Sequence, residues 1–149
     1  LELKDHNGKV LSHNFYWVPE KLAELDWAKT KYTYTPAKSY AEMTALRQLP
    51  AARVEAMASV NGDTVRLRLR NPSNALAFQV SVAVRDAKGQ KIEPQMWSAN
   101  YIELMPGEQR ELVAELPHKA QSGLMVMVSG WNIKPITATT TASKAVTKQ

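Results

Sequence analysis

Trp97-Ser98-Ala99-Asn100-Tyr101-Ile102-Glu103-Leu104-Met105-Pro106-Gly107-Glu108 is the stretch whose reading decides the fold. Pro106-Gly107 is a turn pair, and residues 91–97 before it and 109–116 after it both look extended. The segment therefore reads as a corner of an all-β domain. The same dozen residues hold Trp97, Asn100 and Tyr101. Such amphipathic groups are costly to leave loose in water and suit a sugar, a neighbouring domain or a buried corner.

Working outward, the period stays at two. Residues 53–60, the Asn61-Gly62-Asp63 turn and residues 64–70 make the clearest hairpin, with Val65, Leu67 and Leu69 on one face and Arg66, Arg68 and Arg70 on the other. After the turn cluster Asn71-Pro72-Ser73-Asn74, Phe78, Val80, Val82 and Val84 alternate with Gln79, Ser81 and Ala83 up to the turn at residues 86–89. Further strands are expected near 91–97, 101–104, 109–116 and 123–131. About seven short strands at this spacing predict an immunoglobulin-like antiparallel β-sandwich over residues 52–136. In its last strand Leu124, Val126 and Val128 share one face and Met125, Met127 and Trp131 the other, so both faces should be covered.

The remaining segments are less regular. Residues 1–18 read as an N-terminal β-hairpin turning at Asp5-His6-Asn7-Gly8; two strands alone are marginal, so it should pack on something, either in this chain or in a preceding sandwich domain. Residues 19–51 form an arm with Trp27, Tyr32 and Tyr34, too aromatic for a free linker and expected to lie over the second face of the last strand. Within it, Ser39-Tyr40-Ala41-Glu42 has capping-box spacing, which predicts one short helix of about ten residues ending at Pro50. Residues 137–149, rich in Thr, Ala, Ser and Lys, read as a flexible tail.

A chain of 149 residues is long enough for one domain and an arm without covalent staples. It has no cysteine, which excludes thiol catalysis and thiolate metal sites but leaves the compartment open. The net charge of +5 includes Lys119, Lys134, Lys144 and Lys148, which follow the last acid, Glu115, leaving +1 for the first 115 residues. Four scattered lysines are not a nucleic-acid stripe. No apolar run approaches the ~18 residues of a spanning helix, and Leu1 starts in mid-pattern, as expected of a piece of a longer protein. Neither nucleic acid nor membrane is an expected partner.

Trp97-Ser98-Ala99-Asn100-Tyr101 with Leu104-Met105-Pro106-Gly107-Glu108, then Gly130-Trp131-Asn132, and upstream Ser12-His13-Asn14-Phe15-Tyr16-Trp17, occur in an order and spacing that resembles the C-terminal immunoglobulin-like domain of glycoside hydrolase family 2 enzymes, in the β-mannosidase and exo-β-glucosaminidase branch. The similarity runs from about Gly8 to Asn132. Ala99 departs from the Asp often found there, so no polar role is carried over to it. The resemblance implies a non-catalytic accessory domain that packs on the barrel and sandwich domains of a retaining exo-β-glycosidase exported to the periplasm or the cell exterior.

The residues lead to the same expectation, that the fragment is inert. The family's acid/base glutamate follows an Asn on a barrel strand, and no Asn-Glu dipeptide occurs here. Glu103, Glu108 and Glu111 cluster at the Pro-Gly corner, where solvated glutamates are ordinary, so no catalytic residue is assigned. His6, His13 and His118 are too scattered for a metal motif, and no cofactor signature is present. The candidates that remain are Trp97, Asn100, Tyr101, Trp131 and Asn132, either as a domain interface or as a sugar contact. The rival to the accessory-domain reading is an autonomous carbohydrate-binding module in which Trp97, Tyr101 and Trp131 form a stacking platform.

Overall fold

Val65, Leu67 and Leu69 are fully buried while Arg66, Arg68 and Arg70 between them are exposed, as the two-residue period of a strand with one wet face requires. The computed structural model describes residues 1–119 and 123–142. The chain divides into two units, Leu1–Gln48 and Leu49–Gln149.

In the first unit, β1 (Glu2–Lys4) and β2 (Val10–His13) form the expected hairpin. Its turn is tied by the Asp5 carboxylate, whose Oδ1 accepts from the backbone N–H of Asn7 and of Lys9, both at 2.9 Å. A second small sheet pairs β3 (Glu24–Leu25) with β4 (Ala37–Ser39), around a 3-10 helix at Trp27–Lys29. The helix predicted from Ser39 is not formed. Ser39 ends a strand, and only the 3-10 helix Thr44–Gln48 follows. Glu42, placed by the pattern at the N3 position of a capping box, instead accepts from the backbone N–H of Thr44 at 2.6 Å. Hydrogen bonds from the Thr44 side chain and backbone hold its carboxyl below the usual range. Asp26 is the only buried residue among the 48 of this unit.

The second unit holds β5 (Glu55–Asn61), β6 (Thr64–Arg70), β7 (Ala77–Arg85), β8 (Met96–Trp97), β9 (Ile102–Leu104), β10 (Gln109–Glu115), β11 (Met125–Ser129) and β12 (Ile136–Ala142). Hydrogen bonding runs in the order β8-β10-β6-β5-β12-β11-β7-β9, a sheet that curls over on itself. All pairs are antiparallel except β5 with β12, where Thr140, Thr141 and Ala142 run beside Ala58, Ser59 and Val60. The inward side chains of β6, β7, β9, β10 and β11 meet in one core built on Leu67, Leu69, Val80, Val84, Leu104, Leu112, Val126 and Val128. This is the all-β, immunoglobulin-like sandwich expected.

Three local expectations change. The tail predicted from residue 137 is strand β12 as far as Ala142: Ile136 and the threonines are β-branched and suit a pleated surface, and Ala138 turns into the core. Residues 143–149 lie outside the described residues. The strand predicted at 91–97 shrinks to Met96–Trp97. Phe78 leaves the valine face, because the β7–β9 register shifts between Ala77 and Val80, with Gln79 at φ 53; Ala77 enters the core in its place. Met125 and Met127, on the face of β11 away from Val126 and Val128, are half-buried.

The Pro-Gly corner is a hydrogen-bonded turn. Glu108 N–H donates to the Met105 carbonyl at 3.0 Å, with Gly107 at φ 78, a conformation that strains any residue with a Cβ. Gly107 N–H also donates to Asn71 O at 2.8 Å, and Asn71 N–H donates to Glu108 O at 3.0 Å.

Leu67→Ala should lower unfolding free energy by about 2–5 kcal/mol, because Leu67 is wholly enclosed. Arg68→Ala, one residue along and facing water with only a 3.6 Å ion pair to Glu111, should cost less than about 1 kcal/mol. Urea unfolding of the two variants checks both values.

Candidate functional site

The β7 edge beyond β9 is where the candidate residues begin to gather. Past the Val80–Ile102 pair, β9 has ended, and a sheet edge with unpaired N–H and C=O groups would invite pairing with another chain. Here two side-chain amides take the place of a strand. Asn100 donates from Nδ2 to Val82 O at 3.0 Å and accepts at Oδ1 from Val82 N–H at 2.9 Å. The same Oδ1 accepts from Tyr101 N–H at 2.9 Å. One turn of pleat further on, Gln95 Oε1 accepts from Val84 N–H at 2.7 Å and Ile92 N–H donates to Val84 O at 3.1 Å. Gln95 is itself held by donating to Ile92 O at 2.7 Å, and its Oε1 receives the Trp97 indole N–H at 2.8 Å.

An open cleft of about 650 Å³ lies over this edge, lined by Ser81, Val82, Gln95, Trp97, Asn100 and Tyr101, with Lys91, Glu93 and Pro94 on its rim. Lys91 and Glu93 form an ion pair at 2.5 Å. Tyr101 stands 64% exposed at φ 54, while Trp97 is partly buried and packs against the core. The cleft could receive an apolar or aromatic-stacking group. Its amides have little left to offer such a ligand, because the oxygens of Asn100 and Gln95 each already accept two bonds.

Trp131 and Asn132 are not among the residues that line this cleft. Asn132 is another staple. Its Oδ1 accepts from Phe78 N–H at 2.9 Å, its Nδ2 donates to Pro50 O and Leu76 O, both at 2.7 Å, and its backbone O accepts from Ala52 N–H at 2.9 Å. Trp131 is 58% exposed beside it, with its backbone N–H donating to Phe78 O at 2.9 Å. The five candidates therefore divide into a group of three at the β7 edge and a group of two at the opposite side of the Gln79 bulge.

The glutamates at the Pro-Gly corner are locally engaged. Glu108 Oε2 accepts from Met105 N–H at 2.8 Å and its other oxygen pairs with Arg110. Glu111 bridges Arg66 at 3.3 Å and Arg68 at 3.6 Å. Among the described residues no group of three or more His, Asp and Glu side chains is placed to hold a metal ion. Sequence reasoning missed Gln95 and Asn71. Asn71 is fully buried, donates to Ala75 O and Leu104 O at 2.8 Å, and accepts from Ser73 N–H at 3.0 Å and Ser73 Oγ at 2.6 Å. The Asn-Pro pair marked a turn; nothing in it marked burial.

Residues 32–133 match the family model of the exo-β-D-glucosaminidase Ig-fold domain. The chain belongs to that family. An exo-β-D-glucosaminidase of Arthroderma benhamiae is 38% identical over 136 residues, which take in 90% of this chain and 15% of the relative. One from Streptomyces avermitilis is 35% identical over 144 residues, 89% of this chain and 16% of the relative. The solved structure of the exo-chitosanase CsxA of Amycolatopsis orientalis in complex with PNP-β-D-glucosamine superposes with a TM-score of 0.77 at 31% identity, covering 91% of this chain and 17% of that one. This Ig-fold chain thus spans about a sixth of the length of the proteins it resembles.

Asn100→Ala should destabilise the domain by about 1–3 kcal/mol, since the N–H and C=O of Val82 lose their partner together. Tyr101→Ala should cost less, because the ring is exposed. Thermal and urea unfolding of the two variants give the comparison.

Proposed function

We propose that the chain is a non-catalytic accessory domain of a family 2 exo-β-D-glucosaminidase, C-terminal in that enzyme, where it packs against barrel and sandwich domains and braces the region around the active site. The carrying observation is the match itself: nine-tenths of this chain aligns with a sixth or less of exo-β-D-glucosaminidases, which leaves the bulk of each relative for the reaction. The glucosaminidase branch is favoured over β-mannosidase by the family match and by the relatives alike. In such an enzyme the two carboxylates of a retaining mechanism would lie about 5–5.5 Å apart on a segment other than this one. A polymeric aminosugar is met outside the cytoplasm, which fits export to the periplasm or the cell exterior.

Two features speak against an autonomous carbohydrate-binding module. The amides beside Trp97 and Trp131 are spent on the chain's own backbone. The net charge of +5 would also repel a sugar polymer carrying protonated amines. The exposed ring of Tyr101 over the cleft is what favours the rival.

The full polypeptide should release chromophore from a p-nitrophenyl β-glucosaminide, and the 149-residue chain alone should not. Titrating the isolated chain with chito- and glucosamine oligosaccharides should leave its Trp fluorescence unchanged. A saturable change abolished by Tyr101→Ala would favour the binding-module reading; Tyr101 is the position to alter because Trp97 also supports the core.

A further inference from the structure

The hairpin formed by residues 24–39 holds its aromatic side chains outward on a frame that is locally well tied. Asp26 N–H donates to Pro36 O at 2.8 Å, Lys29 N–H donates to Asp26 O at 3.0 Å, and Thr30 N–H donates to Trp27 O at 3.2 Å. The hydroxyls of Thr30 and Thr35 meet at 3.0 Å, and at the tip Lys31 and Tyr34 exchange two backbone bonds of 2.9 and 3.1 Å. An ion pair of Lys38 with Glu24 at 3.0 Å joins the two sides, and one of Lys29 with Asp26 at 3.2 Å ties the 3-10 turn.

This frame carries Tyr32 at 93% exposure, Trp27 at 71% and Tyr34 in a similar state. Tyr32 sits at φ 54, in the left-handed region where glycine is at ease and a bulky side chain is strained. Within residues 24–39 the ring has no packing to offset that strain, being 93% exposed. The two-residue turn closed by Lys31 and Tyr34 calls for a positive φ, which glycine would meet without strain, and strained positions of this kind cluster where a residue meets a partner.

We infer that Trp27, Tyr32 and Tyr34 form a docking knob for an apolar pocket on another domain of the same polypeptide, which deepens the proposed accessory-domain role and rests on it. Shape favours protein over sugar: carbohydrate sites are concave, whereas this is a convex tip, and Trp and Tyr are the residues that anchor protein interfaces when they enter a pocket. The location of the pocket follows from the relatives. An alignment over 90% of this chain takes in most of residues 1–48 and leaves some 85% of the relative's length outside it.

The test compares the 149-residue chain with the full polypeptide. Hydroxyl-radical footprinting read by mass spectrometry should find Trp27 and Tyr32 readily oxidised in the isolated chain and oxidised severalfold more slowly in the full polypeptide. Tyr32→Gly should leave the melting temperature of the isolated chain unchanged or raised, because strain is relieved, and lower that of the full polypeptide. Equal oxidation in both contexts, or a melting shift of the same sign in both, would overturn the knob. So would protection of Tyr32 in the isolated chain by added glucosamine oligosaccharides, which would make the tip a sugar contact. Hydrolysis of the p-nitrophenyl glucosaminide by the same preparation reports on the parent enzyme separately. If hydrolysis is absent while Trp27 and Tyr32 are protected, the glycosidase reading fails and the docking surface stands.

Discussion

A buried sheet must hand every backbone N–H and C=O to a partner, and in this domain the strands end before that requirement is met. Three asparagine side chains make up the difference. Asn100 stands in for a strand beside Val82, Asn132 ties Pro50 and Leu76 to Phe78, and Asn71 joins the turn at Ala75 to the end of β9. An amide carries both a donor and an acceptor at a separation close to that of a peptide unit, so it can pair with backbone in either sense. Removing one such group leaves several main-chain atoms unsatisfied together, so these positions matter whether the side chain is exposed, as at Asn100, or fully buried, as at Asn71.

That constraint also bears on what the domain can do. Asparagines beside exposed aromatics are the composition of a sugar site, but a side chain that is closing a sheet edge is not available to a ligand. The polar groups near Trp97 and Trp131 face inward to the backbone, and the glutamates at the Pro-Gly corner are held by Met105, Arg110, Arg66 and Arg68. What results is a β7 edge whose backbone groups at Val82 and Val84 are already paired within the domain. The arginine face of β6, with Glu55 and Glu111 each shared between two arginines, has the same character. Its charges are spread among exposed pairs and concentrated on no one point.

The parallel contact of β5 with β12 has a comparable structural weight. It joins β8-β10-β6-β5 to β12-β11-β7-β9 and so lets one continuous sheet enclose a single core. The backbone bond from Ala52 N–H to Asn132 O, at 2.9 Å, joins the same two halves just before β5 begins.

The alternation of Val65, Leu67 and Leu69 with three arginines determined strand, face and register by itself, because a period of two has only one way to sort such residues between oil and water. The hairpin at Asn61–Asp63 and the turn at Pro106-Gly107 were legible for the same reason: their backbone conformations belong to particular residues. Strand β12 was not, since Ile136–Ala142 has weak hydrophobic contrast and becomes a strand only when β5 and β11 lie on either side of it. The capping-box pattern at Ser39 was overridden by pairing with β3, and the Gln79 bulge moved Phe78 off a face that strict alternation had given it. Only the tertiary structure assigned the candidate asparagines. Whether an amide meets a ligand or a backbone depends on which strand has ended beside it, and that is fixed by partners distant in sequence, as Asn132 is from Pro50.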